Sequence, residues 1–312
     1  MMNAASFRSL LLVASLVCAP LTFAQTESES PAADRPLPDI PTLMHEVEQH
    51  QRASETIQKD YLYHEVSTEE ENGKKTKTRE YDVFWLNGVE VHKLTRKDGR
   101  DLTADEQKKE NDRIDKEVAK ARERKAKADS KGEETDSHGH EEITVSRFLS
   151  LGSFTNPRRL QLDGRDTIAV DYTGDPKAKT RNRTEDAIRN LAGTIWVDEQ
   201  DRSISRLEGH FVNNFKIGAG LLINVKKDTS FLFEQRKING EVWLPARIEG
   251  QGAARVMLFV SFNGSVRVTN SDYRKFKATS TILPGLATVN DPSATEGAPS
   301  PSADSAASPA PQ

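Results

Sequence analysis

The stretch Arg236–Gly250, RKINGEVWLPARIEG, decides the fold. Asn239-Gly240 is the dipeptide that a two-residue hairpin turn demands, because both central positions need positive φ. Behind it, Val242, Trp243, Leu244, Ala246 and Ile248 read as a strand. Neighbouring side chains on a strand point to opposite faces, so Trp243 and Leu244 cannot share one. Both faces of this sheet therefore need cover: a helix, a second sheet or a ligand. Leu244 is expected on the concave side and Trp243 on the other. A slip of one residue would reverse that assignment.

Outward from this hairpin the same punctuation recurs. Asn72-Gly73, Asn87-Gly88, Asp98-Gly99, Asp163-Gly164 and Asn263-Gly264 each fall among alternating apolar runs. The pattern predicts an antiparallel meander of about ten strands. A helix is expected before it, over residues 41–59, where Leu43, Met44, Val47 and Ile57 recur at helical spacing behind Pro41.

Two segments break the meander. In the first, residues 103–131, Thr103 and Glu106 have capping-box spacing. Ten Lys/Arg and eight Asp/Glu leave only Ile114, Val118 and some alanines as an apolar stripe, so this helix is expected to pack lightly and project into solvent, or to form only in part. It lies in a charged insertion at about 103–140, read either as a plain insertion or as a docking arm for a partner. The second, residues 141–156, concentrates Ile143, Val145, Phe148, Leu149 and Leu151 and reads as a short helix, a lid or a packing element. A further short helix is expected over 183–191, where Ala187, Ile188 and Leu191 share a face.

The ends differ in composition from the middle. Arg8 followed by an apolar run from Leu10 to Val17, with Thr22 and Ala24 at small-residue positions, reads as a secretory signal peptide over 1–24. The run is far short of the ~20 residues that span a bilayer, and no second run approaches that length. The chain is therefore expected in the periplasm or outside the cell, with no stable membrane span. Cys18, the only cysteine, falls within the signal and follows Val17 rather than a small residue, so neither lipidation nor disulfides are expected. Residues 25–40 read as a linker and 284–312 as a disordered Pro/Ala/Ser tail. A single domain over 41–283 remains.

Motifs that carry chemistry are mostly missing from the sequence. With 29% charged residues and a net charge of −4, nothing calls for nucleic acid, which favours a clustered basic surface. His45 and His50 in HEVEQH are five apart, whereas the helical zinc motif needs four. His138 and His140 in DSHGHEE are read as part of a solvated loop, so no metal site is expected. There is no G-x-S-x-G, no P-loop and no complete dinucleotide loop; neither catalytic residues nor a cofactor are assigned, and a hydrolase with an unrecognised site is the last alternative. What remains is apolar: Phe84, Leu86, Phe231, Phe233, Leu244, Leu258, Val260 and Phe262 alternate along their strands. They are expected to line one cavity on the concave face.

YLYHEVSTE, GTIWVDEQDRSISRLEGH, KKDTSFLFEQRKINGEVWLPARIEG and the closing NSDYRKFKA, in that order behind a signal and a helix, resemble the superfamily of periplasmic lipoprotein carriers, the LolA/LolB-like and RseB-like proteins. The resemblance spans about residues 40–280 and is strongest over 193–277. It implies an α+β fold, a curved antiparallel half-barrel sheet with helices covering its concave side. It also implies a non-enzymatic role: a carrier with a lipid or lipoprotein acyl chain in the cavity or, alternatively, an envelope interaction or stress-sensor protein that docks a protein partner.

Overall fold

Asp39 opens the first helix by accepting the Thr42 amide, and Pro41 sits in the first turn, where its missing N–H costs nothing. The helix, α1, runs Ile40–Gln58. The computed structural model describes residues 28–29, 35–132, 135–140, 142–217, 223–256 and 260–276. The signal peptide expected at 1–24 and the tail at 284–312 lie outside them. No helix among the described residues is long and apolar enough to cross a membrane.

The strands are β1 (Ser28–Glu29), β2 (Tyr61–Glu71), β3 (Lys77–Leu86), β4 (Val89–Lys97), β5 (Arg100–Asp101), β6 (Gly152–Leu162), β7 (Arg165–Gly174), β8 (Leu191–Asp198), β9 (Ser203–Phe211), β10 (Phe215–Ile217), β11 (Ile223–Val225), β12 (Ser230–Ile238), β13 (Val242–Val256) and β14 (Val260–Lys275). They form one open antiparallel sheet in the order β1-β6-β7-β8-β9-β12-β13-β14-β2-β3-β4-β5, with β10 and β11 beside β13. Four of these strands hold only two or three residues, which leaves the ten or so that the turn spacing predicts. The last strand, β14, pairs with both β13 and β2, and so joins the early wing to the late one.

The turns follow the dipeptides. Asn87-Gly88, Asp98-Gly99, Asp163-Gly164 and Asn239-Gly240 all have positive φ at both positions. Asn263-Gly264 does not turn: it lies inside β14, opposite Ala253 and Gly252. Its glycine is explained by close approach, since a Cβ there would come within 1.8 Å of the Glu70 carbonyl oxygen on β2.

The remaining helices are α2 (Ala104–Asp129), α3 (Val145–Leu149) and α4 (Arg183–Ile188). Leu43, Met44 and Val47 of α1 are buried against Ile168, Val170 and Tyr172 of β7 and Ile195 and Val197 of β8. Each such side chain contributes about 1.5–3 kcal/mol. α3 joins this core through Phe148, whose ring lies 5.0 Å from Tyr172 and 5.4 Å from Phe154. Behind it, Arg147 reaches the buried Glu185 of α4 with two hydrogen bonds of 2.7 and 2.6 Å.

α2 corrects the expectation of a projecting arm. The capping box forms as read, but Ile114, Val118 and Ala121 are buried against Val89 and Val91 of β4, with Phe84 and Leu86 of β3 beside them. Glu110 accepts the Leu94 amide at 2.8 Å, and Arg113 donates to the His92 carbonyl at 2.7 Å. Helix side chains thus satisfy the backbone groups of an edge strand that would otherwise be open to another chain.

Candidate functional site: a cavity beneath helix α1

The register carries one face across the sheet. Phe233 lies opposite Leu207 and Ile248, Ile248 opposite Val268, Val268 opposite Ser67, and Ser67 opposite Arg79. By alternation, Val83 and Trp85 share the face of Phe233. Between Glu234 and Gln235 the register shifts, so Gln235 meets Pro245 and Lys237 meets Trp243. Trp243 therefore joins the face of Phe233, the reverse of the side expected for it.

On this face, beneath α1, lies a cavity of about 280 Å³. That is just below the ~300–1,000 Å³ usual for ligand sites. Val47, Ile204, Leu207, Phe233 and Leu244 give it an apolar lining, and Tyr63, Trp85 and Trp243 add aromatic walls. Gln51, Ser54, Gln58, Ser203, Gln235 and Glu90 supply polar groups.

Its two ends are held differently. At one, the Trp243 indole N–H donates to Asp201 at 2.9 Å, and Gln58 donates to the Trp243 carbonyl at 3.3 Å. Lys237 and Arg165 also bind Asp201, and Arg165 lies over the Trp243 ring and pairs with Asp198. Burial alone would raise the Asp201 carboxyl. The bonds from Lys237 and Trp243 and the charge of Arg165 outweigh it and hold the group below its ordinary value. At the other end, Tyr63 donates to Glu90 at 3.0 Å, and the buried Glu65 lies 3.2 Å from His92.

The structure divides the apolar set expected to line one cavity. Phe233 and Leu244 line it. Phe231 is on the same face but packs under Gly209, where a Cβ would meet its ring at 2.6 Å. Leu244 borders it from the other side of β13, the reverse of the concave placement expected for it: its register partner is Arg236 rather than Lys237, and it is buried with Tyr61 and Val242. Phe84 and Leu86 lie on the opposite face, against α2: they alternate with Trp85, and it is Trp85 that shares the face of Phe233. Val260 and Phe262 take register positions opposite Val256 and Ala254. Their side chains, and Leu258 altogether, lie outside the described residues.

Sequence reading missed Tyr63, Trp85, Glu90 and the α1 glutamines. Trp85 was visible as the alternate of Phe84, but no local signal says which alternate faces inward.

The DSHGHEE loop is also more ordered than expected. Asp136 accepts the amides of His138 and His140, and Arg124 of α2 donates to the His138 carbonyl. His138 Nε2 lies 3.4 Å from Glu117. No cluster of three or more His, Cys, Asp or Glu placed to hold a metal occurs among the described residues.

No family model matches the chain, and no curated protein matches it. Among solved structures it is similar to a putative outer membrane lipoprotein-sorting protein domain from Vibrio parahaemolyticus. The identity is 10%, the match covers 76% of this chain and 93% of that one, and the TM-score is 0.35. It is also similar to a LolA superfamily protein from Nitrosomonas europaea, at 12% identity, 74% and 93% coverage and a TM-score of 0.29. A DUF1329 family protein from Desulfovibrio piger matches at 10% identity, 77% and 95% coverage and a TM-score of 0.34. The open antiparallel sheet itself rests on the strand order and register given above.

Proposed function

We propose that this chain is a non-enzymatic carrier of the bacterial envelope that holds the acyl chain of a lipid or lipoprotein in the cavity beneath α1. The observation that supports this is the cavity itself: a gap between helix and sheet, lined by Val47, Ile204, Leu207, Phe233 and Leu244, where an ordinary core would be filled. Each buried methylene contributes about 0.8 kcal/mol, so a chain is held without polar contacts. Phe231 continues the apolar face beyond Phe233, and α1 is the element that would shift to admit a longer chain. The export signal read at residues 1–24 supports an envelope location.

Native mass spectrometry of the protein purified from a bacterial periplasm tests the proposal. A lipid-sized adduct lost on mild activation is the expected result. A clean apo mass, together with no uptake of an added monoacylglycerol, would sink it.

A further inference from the structure

Glu90 is the only charged residue among those that line the cavity. Its Oε1 accepts the Tyr63 hydroxyl. Among the described residues Oε2 has no hydrogen-bond partner, and it is not a buried orphan. An ionised carboxylate only accepts, so a lining Glu90 with one oxygen unpaired can take a bond from a donor on a ligand.

The surroundings keep this end negative. Glu65 is buried nearby and faces His92. Burial first, then the fields of Glu90 and Glu65, push the Tyr63 hydroxyl well above its ordinary range. At the Trp243 end, by contrast, Lys237 and Arg165 are balanced by Asp198 and Asp201. Two protein cations lie over lining rings, Lys59 5.4 Å from Trp85 and Arg165 5.6 Å from Trp243, but neither residue lines the cavity.

We infer that the cavity selects an amphiphile with a cationic head group, received by Glu90, over one with an anionic head group. The inference rests on the carrier reading and names the ligand class that the reading leaves open. A carboxylate or phosphate placed beside Glu90 would set like charges together in a partly desolvated site, which disfavours both. An ammonium there gains a charge-assisted hydrogen bond.

Calorimetric titration at neutral pH of the mature protein with decylammonium, decanol and decanoate separates the terms, because the three share a chain and differ in head-group charge. Decylammonium is expected to bind about tenfold more tightly than decanol, the scale of one hydrogen bond to a charged group, and decanoate more weakly than decanol. In Glu90→Gln the gap between decylammonium and decanol closes. Decanoate binding as well as decylammonium, or a gap that survives in Glu90→Gln, overturns the head-group assignment and leaves the carrier reading standing. Binding of none of the three overturns both. If Glu90→Gln fails to fold by far-UV circular dichroism, the order of the three ligands on the unmodified protein decides alone.

Discussion

His138 and Glu117 show how one contact ties a loop to a helix and makes it depend on pH. The bond from Glu117 raises the His138 pKa above its ordinary 6.5, against burial, with Asp136 and Glu90 adding to the rise. Glu117 goes the other way: burial would raise it, but His138, Arg113 and His92 hold it below its ordinary 4.5. The histidine's contribution is complete below pH 6.5 and is lost as pH rises through its folded pKa. The glutamate's is complete above pH 4.5 and is lost as pH falls through its own. Between those values the loop at 135–140 is held most firmly. The stability difference between the protein and His138→Gln, from denaturant midpoints, should therefore shrink from about pH 6 to about pH 9. A difference that does not change with pH would show the contact to be packing rather than charge. Neither partner was legible as a pair in the sequence, because they are brought together only when the loop folds back over α2. Trp243 teaches the same at the sheet: its strand was readable, but its face was decided by the register shift at Glu234 and Gln235.

At the scale of the element, α2 was legible as a helix from its capping box and ion-pair spacing, but not as a cover for β4. The stripe of Ile114, Val118 and alanines was readable, but nothing local says which strand it covers or that Glu110 will bond to that strand. Glu110→Ala leaves the Leu94 amide unpaired in a buried position, so a loss of about 1–3 kcal/mol is expected. Lys120→Ala, on the exposed side, should stay within about 0.5 kcal/mol. Urea titrations compare the two, and equal losses would mean that the edge contact contributes nothing. The hairpin turns show the opposite balance. Four dipeptides form turns with positive φ at both positions, as read, because that requirement is local. Asn263-Gly264 misled because a glycine needed for close approach looks the same in sequence as one needed for a turn.

For the molecule as a whole, β14 is the strand on which the sheet's continuity depends. It pairs with β13 along one edge and β2 along the other, and so closes a connection between the start and the end of the domain. A chain ending after Val256 should lose the single cooperative thermal transition that a chain ending after Phe276 retains, followed by far-UV circular dichroism. An unchanged transition would assign the joining of the two wings to α1 instead. The order β14-β2 was not readable, since strand pairing between distant segments leaves no local trace. The amino-acid sequence by itself determined the strands, their hairpins and the helices, because turn chemistry, alternation and capping act within a few residues. Which face each strand turns to α1, which aromatics meet at the cavity and where Glu90 points were decided only in the tertiary structure. Those depend on register accumulated across the strands between β9 and β4, and one bulge along that path exchanges inside for outside.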